Sequence, residues 1–95
     1  MKKFQVDLAH CQSYWEMHER FRQALDWPDF YGQNWSAFWD CLTGFMEVPA
    51  FIRITGVDSA GQDVRDSIPK IRKILQRAKT EYGDIDYMIE SKAGL

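Results

Sequence analysis

Phe4, Val6 and Leu8 alternate with Gln5 and Asp7, a two-residue period that predicts a first strand over Phe4–Leu8 with one buried face. The period then lengthens. Tyr14, Met17, Phe21, Ala24 and Leu25 recur at helical spacing behind a Ser13 to Glu16 capping box, in which hydroxyl and carboxylate satisfy each other's exposed amides. A first helix is expected over Tyr14–Asp26, with Pro28 stopping the run. Trp35, Phe38, Trp39 and Leu42 share one arc of a second helix, Trp35–Thr43, with Asn34 as its N-cap and Gly44 just past its end. Ser36, Asp40 and Thr43 share the opposite arc, so Asp40 is expected to face away from the core.

Glu47-Val48-Pro49 breaks the chain before Ala50–Thr55, a β-rich run read as a second strand, and Gly56–Gly61 reads as a loop or a short weak helix. Ile71, Ile74, Leu75, Ala78 and Tyr82 trace an apolar stripe, which predicts a third helix from Ile68 to Tyr82, capped by Ser67 and with Pro69 in its first turn. Gly83 and Asp84 turn the chain into a last strand, Ile85–Ile89. Strands separated by helices pair in parallel, and right-handed crossovers advancing one way put every helix on one side. The fold class expected is α/β: a two-layer, three-stranded parallel sheet with helices packed on one face. Residues 1–90 form one domain in this reading, and residues 91–95 a frayed tail.

Charge changes the picture only locally. The chain of 95 residues has a net charge of −2, which gives it no general affinity for polyanions. From Gln23 to Ile52 there is no basic residue, while Asp26, Asp29, Asp40 and Glu47 make that segment −4; Val64 to Tyr82 is +4. The longest apolar run, Val48 to Ile52, is far too short to span a membrane. With only Cys11 and Cys41, the chain reads as a cytoplasmic protein with free thiols and no membrane association.

Little supports catalysis. A nucleophilic Cys41 needs a base and a group to orient it, and the only imidazoles are His10, in a turn, and His18, at the core edge of the first helix. Cys41 falls beside Ala37 and reads as a small packed side chain. His10, Cys11 and His18 match no common zinc spacing and lack a fourth ligand, and there is no glycine-rich phosphate loop, so no metal or other cofactor is expected. Lys70, Lys73 and Arg77 line one helical flank where they could meet phosphates, but the stacking aromatics lie in the acidic segment, so a solvated helix face is the expectation and direct nucleic-acid binding is not. Trp27, Trp35, Phe38 and Phe45 are candidates for the core. Phe30, Tyr31 and Trp39 flank the polar arc of Ser36 and Asp40, beside a turn expected at the surface, as aromatic binding hot spots flank a charge.

Pro28-Asp29-Phe30-Tyr31-Gly32-Gln33-Asn34, followed by Trp39-Asp40-Cys41-Leu42-Thr43-Gly44 and then by Glu47 and Pro49, resembles the barstar family of intracellular ribonuclease inhibitors. The likeness extends over nearly the whole chain in the order of elements, including Ala78-Lys79 and Gly83-Asp84-Ile85. It implies the same parallel sheet, no catalytic activity, and a cognate ribonuclease as a 1:1 protein partner. It also implies that the turn and second helix plug the enzyme's active site, with Asp40 where a substrate phosphate would bind. Tyr31, Gly32, Asn34, Trp39, Asp40, Thr43, Gly44 and Glu47 carry the family's residue, and Glu81 matches an acid on its last helix. Phe30 replaces a tyrosine, Ser36 replaces a second interface aspartate, and Arg77 replaces an interface glutamate. With Phe45, between Gly44 and Glu47, these are the expected contact residues. One charge is lost and another reversed, so the resemblance implies a target other than barnase. The alternative is a binding module on the same scaffold whose partner is not a ribonuclease.

Overall fold

The alternating segments pair side by side. In the computed structural model, which describes residues 1–92, strands β1 (Lys2–Asp7), β2 (Ala50–Thr55) and β3 (Ile85–Ile89) form one sheet in that order, with both pairs parallel. Helices α1 (Tyr14–Ala24) and α2 (Trp35–Gly44) lie between β1 and β2, and a 3-10 turn (Val57–Ser59) and α3 (Gln62–Tyr82) lie between β2 and β3. The register Phe4, Ile52, Tyr87 and its neighbour Val6, Ile54, Ile89 runs along the face that the helices cover. On the other face Gln5, Arg53 and Met88 are exposed. The expected α/β architecture is therefore the observed one.

Local chemistry sets the boundaries. Ser13 Oγ accepts the Glu16 amide at 3.0 Å, but the Glu16 carboxylate takes the Gln12 amide at 3.1 Å, one residue further out than a capping box requires. Helix α1 stops two residues earlier than expected. Asp26 adopts a left-handed conformation with φ 56°, and the amides of Asp26 and Trp27 fold back to the Gln23 and Arg22 carbonyls at 3.4 and 2.9 Å. This is the standard left-handed helix ending, here built on an aspartate in place of glycine. Gly44 lies inside α2 as its last residue, and Phe45 is the cap.

The largest correction concerns α3, which begins at Gln62, six residues before Ile68. Val64, Ile68, Ile71, Leu75 and Ala78 form one continuous buried stripe, so the apolar face extends more than a turn above the predicted start. The Ser67 hydroxyl donates to the Asp63 carbonyl at 2.9 Å within the helix and caps nothing, and Pro69 is carried in the helix interior. Gly61 is the N-cap. Its amide donates to the Cys11 carbonyl at 2.7 Å, and a Cβ there would lie 2.9 Å from Gln12 Oε1 and 3.1 Å from the Gln12 carbonyl, so a side chain would crowd Gln12 where the two segments meet.

The core fills the space between sheet and helices with Phe21, Met17, Leu8, Leu25, Phe38, Leu42, Ile52, Ile54, Ile68, Ile71 and Leu75, all essentially without solvent contact. Phe38 of α2 meets Phe21, Trp27 and Trp35 at ring centroid distances of 5.0, 5.1 and 5.6 Å. Such pairs each add about 0.5–1.5 kcal/mol beyond burial, which fixes α2 against α1 and the loop between them. Ser91 Oγ and the Lys92 amide bond to the Asp58 carboxylate at 3.0 and 2.9 Å; the rest of the tail expected to fray, 93–95, lies outside the described residues.

Candidate functional site

Residues 25–34 link α1 to α2, and their path is set by which side chains turn inward. Trp27 is buried against Phe21, and the Tyr31 amide donates to the Pro28 carbonyl at 3.1 Å to close a turn. Arg22 reaches from α1 to Asp29 at 3.0 Å and tethers the outside of that turn. Tyr31, expected at the surface, is 6% exposed: its hydroxyl hydrogen bonds to Nδ1 of His18, and its ring lies 5.1 Å from Trp27. The buried tyrosine leaves its neighbour pointing out. Phe30 is 74% exposed and meets Phe45, itself 54% exposed, edge to face at 5.9 Å. Phe45 thus belongs to the surface, where an expected contact residue should lie, and not to the core for which it is also a candidate.

His18 is fully buried, with Tyr14, Trp35 and Tyr31 rings at 4.4, 5.1 and 5.5 Å. No carboxylate among the described residues balances it, so burial holds its pKa down to about 4 and the ring is neutral at pH 7. Nε2 has no hydrogen-bond partner among the described residues. The same desolvation raises the pKa of Tyr31 well above the ordinary phenol range, so its hydroxyl remains protonated and available to the imidazole.

The sequence dictates how α2 presents its two faces. Asn34 Oδ1 accepts the Ala37 amide at 2.8 Å, and Asn34 Nδ2 donates to the Gly32 carbonyl at 3.2 Å, so one side chain starts the helix and closes the preceding loop. Phe38, Cys41 and Leu42 point inward, Trp35 and Trp39 are half-buried, and Ser36 and Asp40 are exposed. Asp40 has no hydrogen bond or ion pair among the described residues. Thr43 Oγ1 donates to the Trp39 carbonyl at 2.8 Å, Gly44 is exposed, and Glu47 lies 3.7 Å from Lys2 across the start of β1. The Val48–Pro49 peptide that follows is cis.

Helix α3 closes the site. Arg77 places its guanidinium 4.1 Å above the Trp39 ring while its Nε donates to Glu81 at 3.0 Å, the one-turn pairing that the spacing allows. The Tyr82 ring lies 6.3 Å from that of Trp39, tilted by 46°. Trp35, Ser36, Trp39 and Asp40 of α2 and Lys70, Ile74 and Arg77 of α3 line a groove of 280 Å³. Lys70, expected on a solvated face, thus shares a groove with Asp40; its place one and two turns before Ile74 and Arg77 is the signal for this in the sequence.

The remaining chemistry is quiet. Cys11 and Cys41 are buried and free, and burial raises both thiol pKa values, with nearby Glu16 adding to the effect at Cys11 and Asp40 at Cys41. A protonated, buried thiol is a poor nucleophile. Among the described residues no group of three or more histidine, cysteine or acidic side chains is placed to hold a metal ion, and no helix is long and apolar enough to cross a membrane.

Two comparisons place the chain as a whole among known proteins. A model of the family described as Barstar (barnase inhibitor) matches residues 1–91. The chain is also 27% identical over 84 residues to a Bacillus subtilis (strain 168) protein called "Putative ribonuclease inhibitor YrdF", a match covering 88% of this chain and 92% of that one.

Proposed function

The chain belongs to the barstar family, whose members inhibit ribonucleases and are not enzymes, and from that premise we propose that it occludes the active site of one cognate small ribonuclease in a 1:1 complex. The observation that carries the reading is Asp40: an exposed carboxylate without an internal partner, on a helix preordered by the Asn34 cap and a buried aromatic cluster. A ribonuclease cleft concentrates cationic groups that bind RNA phosphate. Asp40 takes the place of that phosphate and accepts charge-assisted hydrogen bonds from those groups. Phe30, Phe45 and Trp39 surround the polar contact with rings that exclude water, and Gly32, Asn34, Thr43 and Gly44 form the backbone frame between them. Tyr31 serves the contact from inside by fixing Phe30 outward. The −4 charge of residues 23–52 steers the approach to a basic enzyme. Acting in the cytoplasm, such an inhibitor protects the cell that makes the ribonuclease.

The test is calorimetric titration against a panel of small secreted ribonucleases, with RNA cleavage followed in parallel, for the native chain and Asp40→Ala. Truncating one partner of a buried interfacial charge pair costs about 2–5 kcal/mol, so Asp40→Ala should weaken inhibition by about 30-fold or more. Unchanged inhibition of a proven target by Asp40→Ala would refute the reading.

A further inference from the structure

The groove beside Asp40 offers more than a single anion. Lys70, on its α3 wall, has no hydrogen bond or ion pair among the described residues. Arg77 commits only Nε to Glu81, and its two terminal nitrogens donate to nothing among the described residues while Trp39 holds the guanidinium plane at 4.1 Å. Two cations with free donors, one immobilised on an indole, thus share a groove with a free carboxylate and the half-buried Trp35. A partner surface made only of arginine and lysine satisfies Asp40 but sets like charges against Lys70 and Arg77, which strongly disfavours docking. A free arginine fork is the geometry that takes a carboxylate by two parallel hydrogen bonds.

We propose that the cognate ribonuclease inserts an acidic side chain between Lys70 and Arg77, beside the cation that meets Asp40, so that α2 blocks the enzyme and α3 selects it. Resting on the inhibitor reading above, it adds the chemical character of the target: a cleft whose rim on the α3 side carries aspartate or glutamate. Lys70, Ile74 and Trp35 become part of the contact face. Selectivity arises from repulsion of all-basic rims as much as from attraction to the acid-bearing one.

The experiment uses the double variant Lys70→Glu/Arg77→Glu, both sites lying on the exposed side of α3, with circular dichroism confirming the fold. Native and double-variant chains, each with and without Asp40→Ala, are titrated against barnase and other small secreted ribonucleases sorted by the charge on their cleft rims. The native chain should favour acid-rimmed enzymes. The double variant should lose at least about tenfold on those and gain at least about tenfold on basic-rimmed ones, both through Asp40. Inhibition within about twofold of native on every enzyme, with Asp40→Ala still abolishing it, overturns the proposal and leaves the inhibitor function standing. If neither chain inhibits any enzyme in the panel, the inhibitor reading itself fails and the proposal falls with it.

Discussion

Acidification should weaken this fold through the buried imidazole of His18. In the folded chain the imidazole is held at about 4, against an ordinary 6.5, because it is buried with its ring among Tyr14, Tyr31, Trp35 and Phe38 and no acid among the described residues faces it. As pH falls below 6.5 the unfolded chain takes up a proton that the folded chain refuses. The stabilisation is therefore complete above 6.5, declines through the interval, and is gone near 4. The shift corresponds to about 3 kcal/mol in all, of which about 2 is lost by pH 5. That is a large share of the stability of a small domain. The assay is urea unfolding at half-unit pH steps, comparing the native chain with His18→Asn, whose amide oxygen can still accept the Tyr31 hydroxyl but cannot titrate. The cavity that the variant leaves costs the same at every pH, so the difference in slope is what matters. Native and variant curves that run parallel between pH 7 and 5 would refute the reasoning, because the native curve alone should bend there.

Three further outcomes follow from the same geometry. Asn34→Ala removes the α2 cap and should reduce stability by about 1 kcal/mol in the same unfolding assay and, under the proposed mode of binding, weaken ribonuclease inhibition by fraying α2. Gly56 sits at φ 77° with its missing Cβ 2.2 Å from the Ala9 amide nitrogen, so Gly56→Ala should lower the unfolding midpoint by more than about 1 kcal/mol equivalent. Phe30→Ala, at a residue 74% exposed, should leave the midpoint within about 0.5 kcal/mol of native yet raise the inhibition constant about tenfold; a loss of stability in place of affinity would mean that Phe30 packs inward.

Much of this was legible in the chain, and the gaps have physical causes. Alternation at Phe4, Val6 and Leu8 and the stripe Ile71, Leu75, Ala78 report one buried face each, so strands and helices were readable. The start of α3 was not. Ser67 and Pro69 are cap-like residues whose local preference is overridden by tertiary burial of Val64 on the same stripe. The inward turn of Tyr31 was illegible for another reason. It depends on a buried imidazole thirteen residues away, and no local period records a hydrogen bond across a loop. Asp40 could be placed outside by its arc alone, whereas Lys70 joined it only when α3 packed against α2.

Tyr31 and Phe30 divide their labour between adjacent positions, one locked inward and the other free of the core. The same division recurs along α2, where Phe38 and Leu42 are buried while Ser36 and Asp40 are exposed. Substitutions on the outward set can therefore be sampled without risking the scaffold. A lineage on this frame can follow a changing partner by single mutations on its exposed side.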